Sequence, residues 1–187
     1  MARTPSNMLP LGTIAPDFCL PDVVSQNNRA FNSIRGKKGT VIAFLCNHCP
    51  YVKHINEALV NLAKTYQPLG IAFAGISSND VLAYPEDGPK EMIETAALAG
   101  YNFPYLYDAS QKVAKAFNAA CTPDFYLFDA SDKLVYRGQL DNSRPGNMIP
   151  VSGADLERAM TCLIENLPIP QDQKPSMGCN IKWKPNT

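Results

Sequence analysis

A change of hydrophobic period at one proline constrains this chain more than any other feature. Residues 40–45 read TVIAFL, a continuous β-branched and aromatic run that suits a strand buried on both faces. Past Pro50 the spacing becomes helical: Val52, Ile55, Leu59, Leu62 and Tyr66 share one face, and Pro68 and Gly70 end the segment. Between strand and helix lies CNHC, so the turn itself carries two cysteines and a histidine. A second buried run, IAFAGIS at 71–77, completes a parallel βαβ unit, which needs covering layers on both faces.

The remaining pattern extends that unit. Residues 90–100 (KEMIETAALAG) predict a helix with Ile93, Ala96 and Ala97 inward and Gly100 as its stop. FPYLYD (103–108) predicts a strand and SQKVAKAF (110–117) a short helix. DFYLFD (124–129) and KLVYRGQL (133–140), joined by Ala130, Ser131 and Asp132, predict an antiparallel hairpin. The last helix is expected at 154–167, with Leu156, Ala159, Met160, Leu163 and Leu167 on one side. Residues 1–16 read as an irregular arm and 17–167 as one domain. The proline-rich stretch 168–187 reads as a tail docked on it through Ile181 and Trp183. The expected fold is α/β, a central mixed sheet with helices on both faces.

Composition narrows the function. The 17 basic and 17 acidic residues cancel, so no net field steers the chain toward nucleic acid or an anionic membrane. No apolar run reaches the roughly 18 residues of a membrane helix, and the first residues lack a secretory pattern. A cytoplasmic location is expected. Six cysteines are too few to scaffold 187 residues by disulfides. Cys19, in DFCL, and Cys162, beside the last helix's apolar stripe, are expected to pack as buried hydrophobes.

The turn is the candidate site. With Pro50 in the first helical turn, Cys49 sits at the helix N-terminus, where unpaired N–H groups and the dipole favour a thiolate. Lys53, one turn along, would add positive charge, and so would His48 when protonated. His54 is offset from that face and reads as a solvated or packed helix residue. Cys46 and Cys49 have a spacing that can close a disulfide. Half a zinc site looks the same, but no second close pair exists, since Cys121 and Cys179 are isolated in sequence. No cofactor is called for.

FLCNHCPYVKH, SSNDVLAYPEDGPKEM, CTPDFYLFD, YRGQLDNSRPG and GCNIKWKP together resemble the thioredoxin-like superfamily, and within it the redoxins of the alkyl hydroperoxide reductase/thiol-specific antioxidant type, peroxiredoxin-like family 1. The resemblance implies a thioredoxin-like fold, a cis Thr122–Pro123 bond facing Cys49, and thiol redox chemistry. Laid on thioredoxin's turn, Cys49 takes the nucleophilic position and Val52 the resolving one. Peroxiredoxins have T-x-x-C-P here, so Cys46 stands where a threonine would. No arginine lies in 120–129, and Arg137 is the nearest downstream.

The expectation is therefore a thiol–disulfide oxidoreductase in which Cys49 attacks and Cys46 resolves, with Pro123 opposite. Cys121 ranks second as resolver, and Cys179 third, in a tail that could fold back. Its substrates would be a disulfide-containing protein or a small thiol, with a thiol reductant closing the cycle. Two alternatives stand: a thiol peroxidase acting on peroxide, and a Cu(I)- or Zn-binding protein using Cys46, Cys49 and His48, with Cys179 completing the set. Asn79, Asp80 and residues 85–89 are candidates to flank the site, with no chemistry assigned to them, and capping and turn formation account for them.

Overall fold

Alternation along the strands builds two apolar layers against one sheet. In the computed structural model, which describes residues 3–185, three short strands come first: β1 (Arg3–Pro5), β2 (Cys19–Pro21) and β3 (Asn28–Ala30). Next are β4 (Gly39–Phe44), α1 (Pro50–Tyr66), β5 (Ile71–Ser77), α2 (Pro89–Ala99), β6 (Tyr105–Tyr107) and α3 (Lys112–Ala116). β7 (Cys121–Thr122), β8 (Asp124–Asp129), β9 (Leu134–Gly138), α4 (Ala154–Ile164) and β10 (Met177–Asn180) complete the chain.

The central sheet runs β6-β5-β4-β8-β9. β4 pairs in parallel with β5 and antiparallel with β8, so the sheet is mixed as expected. Val41 and Ala43 of β4, with Phe125 and Leu127 of β8, meet the apolar face of α1 and residues of α2 and α4. Ile42, Phe44, Tyr126 and Phe128 point the other way, onto Phe31, Ile34 and α3. Each fully buried aliphatic or aromatic side chain of these layers contributes about 1.5–3 kcal/mol. The chain has the thioredoxin-like α/β architecture, with helices on both faces.

Several expectations are corrected. The arm is not wholly irregular: β1 pairs with β10, and β10 pairs with β7, in a small second sheet. The ends of the arm and tail (1–2 and 186–187) lie outside the described residues. In α2 the inward residues are Met92 and Ala96, while Ile93 and Ala97 face solvent, because the i, i+4 stripe starts one residue earlier than expected. α2 does stop at Gly100, which has φ 71°. α4 ends at Ile164, leaving Leu167 half exposed beyond it.

Cys19 is exposed rather than packed, since its neighbours Phe18 and Leu20 take the inward positions and strand alternation turns it out. Cys162 is only partly buried. Ile181 anchors the tail at 1% exposure, whereas Trp183 remains 40% exposed beneath the Lys115 ammonium.

Candidate active site

β4 ends at Phe44, and residues 45–49 turn the chain into α1. Cys49 is extended (φ −68°, ψ 122°) and caps the helix without a side-chain hydrogen bond of the capping type. Its sulfur is therefore left for other partners. Across from it, Thr122–Pro123 is a cis bond. The Cys49 Sγ lies 3.2 Å from the Thr122 carbonyl oxygen, a contact open to the thiol as donor. It lies 2.9 Å from the Cys179 Sγ. β10 makes this approach by pairing Cys179 with Thr122 and Asn180 with Cys121. Cys46 meets the Thr122 hydroxyl at 3.2 Å. Three sulfurs thus gather around one turn, and their exposures of 0, 1 and 2% (Cys49, Cys46 and Cys179) seal them from solvent.

One negative charge divides unequally among them. Hydrogen bonding from Cys46 lowers the Cys49 pKa to about 5, with further donation from the Cys179 thiol and the Val52 and Cys179 N–H groups; burial opposes this. Donation to Cys49, burial and the charge of Asp87 push Cys46 well up. Burial, then donation to Cys49, push Cys179 up to about 12. Cys49 is the thiolate at neutral pH, and its two neighbours keep their protons. The donors are what hold it down. Lys53, expected to help, is exposed and lines a groove of about 450 Å³ beside Asn47 and His48.

A pH titration tests the assignment. The thiolate absorbance of Cys49 should fall as pH drops through about 5, instead of near the ordinary thiol value of about 8.5. Cys49→Ser should lack that transition. The lowered folded pKa also stabilises the fold: this contribution is complete above about pH 8.5 and lost as pH falls to about 5. A parent protein titrating only near the ordinary value would overturn the picture.

His48 does not face Cys49. Its Nδ1 lies 2.6 Å from Asp87 Oδ2, and its ring stacks on Tyr84. Asp87 is fully buried and also accepts from the Asn47 N–H, the His48 N–H and the Asn79 side-chain amide. Among the described residues, the group able to bring three metal-ligand atoms within 4.8 Å of one another is Cys46, His48 and Asp87. Asp87, not Cys49, completes it, and four hydrogen bonds already occupy its oxygens. His54 reaches the Ser143 hydroxyl at 2.7 Å. Cys121 is buried, with its thiol toward the Pro123 carbonyl and its pKa raised by burial. Arg137 is taken up by the Leu9 carbonyl and Gln173.

Sequence reasoning set Asn79 and the loop of Asp87 beside the site without a role, and missed Asp124. Asn79 donates to Asp87 and accepts from the Lys182 N–H at 2.8 Å, tying the turn to the tail. Asp124, next to Pro123, is fully buried against the Tyr126 hydroxyl, and burial lifts its pKa to about 8. Only the SSND and PEDGP residues pointed there, and turn chemistry explained them without contacts. The resolving-side expectation also shifts, because the sulfur brought to 2.9 Å from Cys49 belongs to Cys179.

No curated protein matches the chain. Among solved structures, it is similar to an uncharacterized conserved protein from Geobacillus kaustophilus, at 53% identity and TM-score 0.98, over 100% of this chain and 99% of that one. It also resembles in fold the peroxidoxin BcpB from Mycobacterium tuberculosis (18% identity, TM-score 0.61, 82% of this chain and 95% of that one). A third is the thioredoxin domain of a thiol-disulfide oxidoreductase from Bacteroides vulgatus (17% identity, TM-score 0.59, 69% and 88%). The profile of the AhpC/TSA family matches residues 11–137, a span that holds the CNHCP turn and the cis-proline, and the chain belongs to that family.

Proposed function

We propose that the protein is a thiol–disulfide oxidoreductase that cycles between a Cys49/Cys179 dithiol and a Cys49–Cys179 disulfide. The observation that carries this reading is the 2.9 Å approach of the two sulfurs, one held as a thiolate and the other as a thiol. Environments that push two pKa values apart assign the roles of nucleophile and proton donor. Cys49 attacks one sulfur of a substrate disulfide R–S–S–R′; that bond breaks, and R′–S⁻ leaves and takes a proton from solvent. Cys179 then attacks the Cys49 sulfur, R–S leaves with the Cys179 proton, and an external thiol reductant restores the dithiol. Cys46 stays protonated, a donor that holds the charge on Cys49.

The sealing of Cys49 at 0% exposure favours a second reading, in which a small peroxide is the oxidant. The Cys49 thiolate would attack one peroxide oxygen, the O–O bond would break with release of an alcohol or water, and the resulting sulfenic acid would condense with the Cys179 thiol to form the disulfide and water.

Oxidising the reduced protein with one equivalent of glutathione disulfide or dilute hydrogen peroxide, then mapping the cross-links, tests both. The expected product is Cys49–Cys179. Cys179→Ser should instead accumulate a stable glutathione adduct on Cys49. A Cys46–Cys49 link in the parent would overturn the pairing. A peroxide rate no better than that of free cysteine would remove the second reading alone.

A further inference from the structure

We infer that Cys46, His48 and Asp87 form a binding site for a divalent cation of the zinc class, beside the redox pair and separate from it. One thiol, one imidazole and one carboxylate each present a ligand atom, and the three atoms lie within 4.8 Å of one another. Sulfur, nitrogen and oxygen donors in that number make a zinc site with a fourth position to fill. A tetrahedral ion at ordinary bond lengths spaces its donors about 3.3–3.6 Å apart, so shifts of roughly 1 Å close the set. Glu86 supplies the fourth donor. Its Oε1 lies 4.0 Å from His48 Nδ1, and its half-exposed side chain is free to turn. Glu86 and His48 also line the groove of about 450 Å³ that holds Lys53, which gives a cation a path from solvent to two buried ligands.

The hydrogen bonds on Asp87 prepare the carboxylate for an ion. A carboxylate has about four lone-pair sites. Three are held by the Asn47 N–H, the His48 N–H and the Asn79 amide, and all three donors can stay. Donors of this kind, behind a ligating oxygen, fix its orientation toward a metal. The fourth site is taken by His48 Nδ1 at 2.6 Å, and the cation replaces this contact by sitting between nitrogen and oxygen. The pair then opens by about 0.8 Å. On the far side of the ring, Nε2 is buried and has no hydrogen-bond partner among the described residues. The ring proton can therefore move there without breaking a hydrogen bond. A dication deprotonates a coordinating thiol outright, so Cys46 binds as the thiolate and one proton is released per ion. Its contact with the Thr122 hydroxyl survives, because that hydroxyl can donate to the sulfur. Cys49 is left out, since its sulfur faces the Thr122 carbonyl and Cys179.

The probe is cobalt(II) chloride, a coloured stand-in for zinc. It is added to full-length reduced protein carrying Cys19→Ser and Cys162→Ser, which removes the exposed and the partly buried thiol outside the site. A phosphine keeps the other cysteines reduced without supplying a thiol. One equivalent should saturate a thiolate-to-cobalt charge-transfer band and release about one proton per ion. Zinc chloride should then displace the cobalt and abolish the band. Adding Cys49→Ser and Cys179→Ser together should leave the band in place. Cys46→Ser should remove it. His48→Gln, which keeps an amide donor for Asp87, should weaken cobalt binding roughly tenfold or more. Urea midpoints show whether each variant is folded, and if Cys46→Ser is not, His48→Gln decides. No band in the parent, a band that survives Cys46→Ser, or an affinity unmoved by His48→Gln would overturn the site. So would a band lost with Cys49 and Cys179, which would put the ion on the redox pair instead.

Discussion

Replacing Cys49 with serine should reduce turnover of a chromogenic disulfide, driven by excess thiol reductant, by on the order of a thousandfold, because a serine hydroxyl does not ionise near neutral pH. Turnover is the readout that matters. The exposed Cys19 would consume reagent stoichiometrically in either protein and obscure a single-turnover comparison. Cys46 should not take over: it is 1% exposed, and its thiol faces the Thr122 hydroxyl. Two variants at 46 sharpen the result. Cys46→Ser keeps a donor to Cys49 and should keep most of the turnover. Cys46→Ala removes the largest influence holding the Cys49 pKa near 5, so its half-maximal rate should move to higher pH. If Cys49→Ser turned over like the parent and Cys46→Ser did not, the nucleophile would be Cys46.

The period change at Pro50 made α1 and its flanking strands readable, because both patterns are set by burial on one side of a local segment. Cys49 as helix cap followed from the same local logic. What local logic could not reach was its partner. Cys179 lies 130 positions away, and only the pairing of β10 with β1 and β7 brings it home. Cys46 was favoured by proximity in sequence, which says nothing about which sulfur the backbone turns toward Cys49. α2 shows a smaller failure of the same kind. Its composition permits two neighbouring stripes, and packing kept the expected Ala96 inward but took Met92 in place of Ile93 and Ala97. The polar loops were hardest: Asn79 and Asp87 look like capping residues until the tail and His48 are placed against them.

Asp87→Ala should be the most damaging substitution outside the cysteines. The carboxylate is fully buried. One oxygen accepts from the Asn47 N–H at 2.8 Å and the His48 N–H at 3.3 Å, and the other from His48 Nδ1 at 2.6 Å and the Asn79 amide at 2.7 Å. Alanine leaves all four without their acceptor in a site with little room to rearrange, and a loss of about 3–5 kcal/mol follows from the desolvation of orphaned donors. Asp87→Asn keeps one acceptor oxygen but turns an amide N–H pair toward other donors, so its loss should lie between parent and alanine. Chemistry should change along with stability. The Asp87 charge is one of the influences keeping Cys46 protonated, behind donation to Cys49 and burial, and the turn that sets Cys46 and Cys49 against Thr122 loses its buried anchor with it. Asn79 also loses the anchor from which it holds the Lys182 N–H, so the tail loosens over the site. Urea denaturation should show a lower midpoint for Asp87→Ala, and exchange measured well below that midpoint should show a lower maximal rate. A parent-like midpoint with an unchanged maximal rate would mean that the four hydrogen bonds do not organise the turn.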